Sequence, residues 1–270
     1  WGGYPRKIAK VFYPNEINEI LSEIKNQETI ARGNGRAYGD CAISEKNTIN
    51  IKYFNNNLSF NESNGTLVVE SGVLLNDIIK KFLPKGWFPF VTPGSKFVTV
   101  GGMIAADVHG KNHHKDGSFG SFIEWIDLID NKGEIKRCSK GENTELFEWT
   151  IGGMGLTGII IKASIKLRTV ETCWIKQKII TASNIDQTLD IFKETMDSTY
   201  SVAWLNCSIK NKNIGQSLIM LGEHASVSDL KKKSKNKPLE LIKKKKISIP
   251  FYLPSWFLNK WFINFFNFVY

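Results

Sequence analysis

Cysteine is scarce and scattered. The 270-residue chain has four, Cys41, Cys138, Cys173 and Cys207, and no two stand at CxxC spacing. That spacing argues against a zinc knuckle or a dithiol redox pair and suits reduced thiols in a cytoplasmic protein. Long apolar runs are missing too: none approaches the roughly 20 residues that a bilayer-spanning helix needs. No charged n-region with an apolar h-region opens the sequence, so no signal peptide is expected. Trp1 is not an initiator and the sequence stops inside WFINFFNFVY, so a longer parent chain is expected. There is no internal repeat, no Rossmann GxGxxG and no P-loop GK[ST].

Positive charge is in excess, at a formal +10. This favours an anionic partner, whether a phosphate, an acidic lipid head group or a nucleic acid, without choosing among them. The length allows one large domain or two smaller ones.

Hydrophobic spacing organises the chain. Ile17, Ile20, Leu21 and Ile24 predict an amphipathic helix over 15–27, and Leu75, Ile78, Ile79 and Phe82 a second over 74–83. Short strands are expected at 48–54, 58–63 and 66–73. FIEWIDLIDNKGEIKRCS reads as two strands about an Asn-Lys-Gly turn, then a polar helix in GENTELFEWT. Beyond Thr169 come a strand in VETCWIKQKIITA, a helix in NIDQTLDIFKETMDS, and strands in TYSVAWLNCSI and QSLIMLGEHA. The mixture predicts an α+β protein with a boundary near 170, its strands too irregular for a Rossmann series.

Three glycine-rich stretches punctuate this pattern: ARGNGRAYGD, VTPGSKFVTVGGMIAADVHGKNHHKDGSFG and IGGMGLTGIIIKASIKL. Glycine reaches positive φ and lets a ligand approach the backbone, and successive free N–H groups form a nest for phosphate. One such loop alone is a tight strand–strand turn. Three together could wrap a long ligand carrying a diphosphate, which points to a dinucleotide held without a Rossmann unit.

This succession resembles the FAD-binding domain of the vanillyl-alcohol-oxidase, or PCMH-type, flavoprotein family. The likeness covers most of the chain and is strongest, through HGKNHH…GSFG and TYSVAWLN, to the branch that oxidises a polyprenylphosphoryl ribose. It implies an FAD-binding PCMH-type domain of two α/β subdomains over 1–169, and part of an α+β substrate domain over 170–270. It implies a first pyrophosphate loop from Arg32 to Asp40, including Gly33, Asn34, Gly35, Arg36, Ala37 and Tyr38. Pro93, Gly94, Ser95, Thr99, Val100, Gly101 and Gly102 would line the ADP and isoalloxazine side. Gly155, Leu156, Thr157, Gly158 and Ile159 would close over the cofactor. Many relatives carry a histidine in a GxGHS pattern for a covalent flavin link. Here the sequence is GNGRA, with Arg36 at that place, which implies non-covalent FAD.

The turn HGKNHHKDGSF holds three of the four histidines. His109, His113 and His114 make a poor metal site, because no carboxylate pair or cysteine completes it. By resemblance His109 and Lys111 meet the substrate at the isoalloxazine face. A neutral imidazole can take a hydroxyl proton, and an ammonium can hold a developing alkoxide or a substrate phosphate. Which side chain does which is left open. Tyr38 is a third candidate, a packed tyrosine being the alternative.

The implied reaction is oxidation of the 2′-hydroxyl of a polyprenylphosphoryl ribose to a 2′-keto product, which passes to an NAD(P)H-dependent reductase. An aldonolactone or alditol oxidase is the second reading, and a non-catalytic flavin-fold binding protein the third. DLKKKSKNKPLELIKKKK is either a solvated loop or, with the aromatic ISIPFYLPSWFLNKWFINFF, a contact for an anionic membrane face. Cytoplasmic location, peripheral on the inner face, is the expectation. No nucleic-acid module accompanies the lysines.

Overall fold

The structure, a computed structural model, describes residues 3–25, 28–209, 211–241, 254 and 259–269. Two compact units divide the chain, Trp1–Val170 and Glu171–Tyr270.

The first unit begins with a small parallel sheet. Strands β1 (Val11–Phe12), β2 (Thr29–Arg32) and β3 (Asn47–Asn50) lie in the order β1-β3-β2. Helix α1 (Ile17–Ile24) makes the crossover from β1 to β2, which lie on either side of β3. Its apolar stripe, Ile17, Ile20, Leu21 and Ile24, packs with Ile49, Ile51 and Phe54, and with Ile129, Ile159 and Ile161 of the larger sheet. The helix is shorter than the spacing predicts because it starts only after Pro14, at an extended Glu16; Asn26 and Gln27 lie outside the described residues. The strand expected over 48–54 also stops early. After Asn50 the chain turns, with Phe54 N–H donating to Ile51 O at 3.0 Å.

The larger sheet is antiparallel. Its strands are β4 (Asn57–Asn61), β5 (Thr66–Glu70), β6 (Trp87–Pro89), β7 (Ile123–Ile129), β8 (Ile135–Ser139) and β9 (Ile159–Thr169). The order is β4-β5-β9-β7-β8, with β6 beside the end of β9. Central β9 is buried along most of its length, as a strand covered on both faces must be. Helix α2 (Leu75–Phe82) adds Leu75, Ile78 and Phe82 to the core, beside Val69, Val91, Ile126 and Ala163.

One element has no helical signal in the sequence. Val100–Ala105 forms helix α3, although it contains two glycines, each costing about 1 kcal/mol against alanine. Packing offsets this. Val100, Met103 and Ile104 are fully buried, and Thr99 caps the N-terminus by accepting from Gly102 N–H at 3.2 Å. Helix α4 (His113–Asp116) is a single turn, and α5 (Thr144–Thr150) follows the β7–β8 hairpin.

The second unit is a three-stranded antiparallel sheet, β10 (Ile175–Ala182), β11 (Tyr200–Leu205) and β12 (Ser217–His224), in the order β10-β12-β11. Helix α6 (Ile185–Glu194) covers it, with Ile191 and Phe192 on Ala182, Ile219 and Leu221. Asn184 caps α6, accepting from Gln187 N–H at 2.9 Å. Part of the lysine-rich segment forms α7 (Lys232–Lys235); Lys243 to Lys246 lie outside the described residues. The aromatic run forms α8 (Lys260–Val269), with Trp261 and Phe265 well exposed. Among the described residues no helix is long and apolar enough to cross a membrane.

Candidate flavin site

The three glycine-rich stretches, remote in sequence, meet at one cleft of the first unit. It encloses about 150 Å³ and opens to solvent at its mouth. Gly33 to Ala37 come from the loop after β2, Thr99, Gly101 and Gly102 from the start of α3, and Gly155 and Gly158 from the loop before β9. The floor is apolar, with Ala31, Ile51, Val98 and Ile160; Ala105, Ala106, Val108, Cys41 and Met154 complete the wall.

Close packing explains the small residues. A β-carbon on Gly33 would stand 2.2 Å from Thr99 Oγ1, and one on Gly101 2.9 Å from Ser71 Cβ. Gly158 has φ +145°, and a β-carbon there would meet Ile129 O at 2.3 Å. Hydrogen bonds tie the loops together. Asn34 Nδ2 donates to Phe97 O at 2.8 Å, joining the first stretch to the second. Met154 N–H donates to Ala105 O at 2.8 Å and Gly152 N–H to Ile104 O at 3.0 Å, joining the third stretch to α3. Met154 of this wall adopts positive φ, 52°, as does Asp107, at 38°, between the lining residues Ala106 and Val108. Asp107 is held there by accepting Gly120 N–H at 2.8 Å.

Not every sequence candidate is at this wall. Arg32 lines a second hollow with Tyr4 and Arg6, and donates to Ala42 O at 3.1 Å. Tyr38 is 73% exposed. Val100 is buried, its N–H donating to Val73 O. Thr157 is engaged by Thr150, Oγ1 to Oγ1 2.9 Å, and Ile159 packs in the α1 core. Pro93, Gly94 and Ser95 stand in the approach to Phe97, where Ser95 Oγ accepts Phe97 N–H at 3.2 Å; none lines the cleft.

His109 directly follows Val108 of the cleft wall. It is exposed, bridged in strand fashion to Ser118, with its ring 5.3 Å from that of His113. Lys111 is exposed two residues on. Among the described residues no group of three or more His, Cys, Asp or Glu side chains is placed to hold a metal ion. Sequence reasoning passed over Asn112, Asp116 and Arg168 beneath this turn. Asp116 and Arg168 form an ion pair with only 19% and 17% of their side chains exposed.

The cleft suits FAD chemically. Gly33, Gly35 and Gly155 let phosphate oxygens approach the backbone N–H groups of the first and third loops, Arg36 adds a cation at the first loop, and the apolar floor can receive a flat ring system. The residues therefore fit the cofactor, with Gly33 to Ala37 and Gly155 placed to hold a diphosphate.

Comparison with known proteins agrees. The profile of a family described as "FAD binding domain" matches residues 5–139. The chain is 32% identical over 271 residues to decaprenylphosphoryl-beta-D-ribose oxidase of Mycolicibacterium smegmatis, covering 96% of this chain and 59% of that protein. It is 38% identical over 100 residues to cytokinin dehydrogenase 5 of Arabidopsis thaliana, 37% of this chain and 18% of that one. It is 22% identical over 215 residues to D-arabinono-1,4-lactone oxidase of Candida glabrata, 76% of this chain and 38% of that one. The chain thus spans less than two thirds of the length of these curated relatives.

Proposed function

Because the chain belongs to the PCMH-type FAD-binding-domain family, we propose that it is the flavin-binding part of an FAD-dependent oxidoreductase that oxidises a sugar secondary alcohol. The 2′-hydroxyl of a polyprenylphosphoryl ribose is the assigned substrate position. The convergence of three glycine-rich loops on one cleft carries the cofactor assignment. The likeness along 96% of the chain to a decaprenylphosphoryl-ribose oxidase supports the substrate. FAD is held without a covalent bond, since Arg36 stands among the cleft residues and cannot form the histidyl linkage.

Bound FAD supplies the hydride acceptor. The chain supplies the rest. As the carbinol C–H hydride leaves, the hydroxyl proton must go to a base, and the imidazole of His109 is assigned to take it. The ammonium of Lys111 is suited to hold the developing oxyanion or the substrate phosphate. Tyr38, exposed near the end of the first loop, is assigned to the substrate side. The product is a 2′-keto sugar, which needs a separate NAD(P)H-dependent reductase to reach the arabinose form.

The second unit is assigned as the start of the substrate domain. Its lysines and the exposed Trp261 and Phe265 are chemically suited to an anionic membrane face, which would bring the enzyme to a lipid-borne sugar at the cytoplasmic side. A second reading, a lactone or alditol oxidase on a soluble sugar, is favoured by the likeness to the D-arabinono-1,4-lactone oxidase.

The test is anaerobic mixing of the FAD-loaded, full-length protein with decaprenylphosphoryl ribose, an aldonolactone and an alditol in turn. Bleaching by the first with release of a 2′-keto product supports the proposal. Bleaching by the soluble sugars alone selects the second reading, and no bleaching by any leaves a non-catalytic flavin-fold protein.

A further inference from the structure

Asn112 stands in the middle of the exposed turn that carries His109, Lys111 and His113, yet it is 0% exposed. Its Nδ2 donates to Phe90 O at 2.8 Å and to Asp116 Oδ2 at 2.6 Å. Its own carbonyl oxygen accepts the N–H groups of Lys115 and Asp116 at 3.0 and 2.8 Å. One residue thus pins the turn to the segment after β6 and starts the helical turn that follows. Asp116 pairs with Arg168 near the end of β9. The Arg168 guanidinium lies 4.3 Å over the ring of Phe90, the residue whose carbonyl Asn112 holds. Phe90 in turn stacks on Phe122 at 4.1 Å. The contacts form a closed circuit, Asn112 to Phe90 to Arg168 to Asp116 and back.

This circuit has a cost that packing alone does not explain. Asn112 Oδ1 is buried with no hydrogen-bond partner, a loss of about 1–3 kcal/mol that an apolar side chain would avoid. It also restricts its neighbour: a β-carbon on Gly110 would stand 2.7 Å from that oxygen and 2.8 Å from Thr92 O. A polar side chain kept in place at such cost points to a geometric role. What it fixes is the path of the backbone between His109 and Lys111.

We propose that Asn112 is a positioning residue, held by the Asp116–Arg168 pair, which sets the place of the His109 imidazole and the Lys111 ammonium, just after Val108 of the cleft wall. The proposal rests on the oxidoreductase reading for the roles of those two side chains. It does not rest on that reading for the geometry. Misplacing a reacting group by about 1 Å costs on the order of a hundredfold in rate, so the circuit acts on the chemical step and leaves the cofactor affinity nearly intact.

Two measurements on the full-length protein separate this from mere structural support and from failure of the functional reading. In the FAD-loaded protein, N112A is expected to lower the limiting rate of flavin reduction by decaprenylphosphoryl ribose about a hundredfold. FAD affinity should change less than about threefold, and the pH–rate limb that H109A abolishes should shift. R168K, which keeps the charge, should retain part of the rate. In the FAD-free protein, N112A is expected to speed amide exchange at Lys115, Asp116 and Gly117 about tenfold or more, with β9 unchanged. If exchange at these amides is unaltered, or if cofactor affinity falls in step with rate, the proposal is overturned. If N112A does not fold, D116N is read in the same two assays against the same limits. Normal flavin reduction in H109A with altered exchange in N112A overturns the catalytic assignment of His109 and, with it, the positioning role.

Discussion

Gly33 and Thr99 approach so closely that no side chain fits between them. A β-carbon on Gly33 would stand 2.2 Å from Thr99 Oγ1, the same atom that caps α3 by accepting Gly102 N–H. One hydroxyl therefore fixes two walls of the flavin cleft. Thr99 is 3% exposed, so it cannot swing aside, and the bond from Asn34 to Phe97 O holds the first loop in the same register.

This contact makes the effects of two substitutions interdependent. G33A should destabilise the protein by about 1–3 kcal/mol through overpacking and weaken FAD binding about tenfold or more. T99A should cost about 1 kcal/mol as a lost cap. The double variant removes the clashing oxygen, leaving Thr99 Cβ as the neighbour at 3.3 Å. It should lose less than the sum of the singles by about 1 kcal/mol. Urea unfolding and FAD fluorescence titration on all four proteins measure this; strict additivity would mean that the contact is not the cause.

Helices α1 and α2 and the long strands were legible because their apolar spacing is regular and decides burial directly. Helix α3 was not. Val100–Ala105 has poor helix propensity, and only the fit of Gly101 against Ser71 and the Thr99 cap make the conformation favourable. The glycine-rich loops were legible as a set, since their small residues are needed wherever the backbone must approach another group. Their members divide on side-chain direction, which the sequence does not carry: Thr99 and Gly101 reach the cleft, while Val100 between them points into the core. The circuit beneath His109 was invisible because its partners, Phe90, Asn112, Asp116 and Arg168, are scattered over about half the unit and carry no motif.

Gly158 offers a test of the third loop. Its φ of +145° and the 2.3 Å approach of a β-carbon to Ile129 O allow only glycine. G158A should destabilise the first unit by about 2 kcal/mol or more, the combined cost of backbone strain and a clash with backbone. Thermal unfolding with and without FAD checks it; an unchanged midpoint would mean that the loop rebuilds freely.

The proposed non-covalent hold on FAD through Arg36 predicts a dissociable, salt-sensitive cofactor. Its guanidinium lies 5.8 Å over the Phe97 ring, at the junction of the first and second loops. Acid precipitation of the FAD-loaded protein should leave the yellow chromophore in the supernatant. R36A should weaken FAD binding about tenfold or more, the worth of a charge-assisted bond to phosphate. Raising salt should weaken the wild type more than the variant. Colour retained in the pellet would show a covalent link elsewhere.

Glu124 links three strands of the large sheet and should make stability depend on pH at the acid end. From β7 it accepts Ser164 Oγ at 2.8 Å and Thr66 Oγ1 at 3.3 Å, and pairs with Lys166 at 2.9 Å. Burial pushes its carboxyl up, but hydrogen bonds from Lys166, Ser164 and Thr66, with the Lys166 charge, outweigh this and hold it below the ordinary 4.5. A carboxyl lowered on folding stabilises the native state above its unfolded pKa and loses that contribution as pH falls through the folded value. E124Q keeps one acceptor and leaves Lys166 without its anion, so it should cost about 1 kcal/mol near pH 7, given the partial exposure of the pair. As pH falls through the folded value the wild type protonates and the two proteins should converge. Urea unfolding of both from pH 7 down through the acid range decides the matter, and a gap that stays constant until both unfold would remove Glu124 from the account of acid sensitivity.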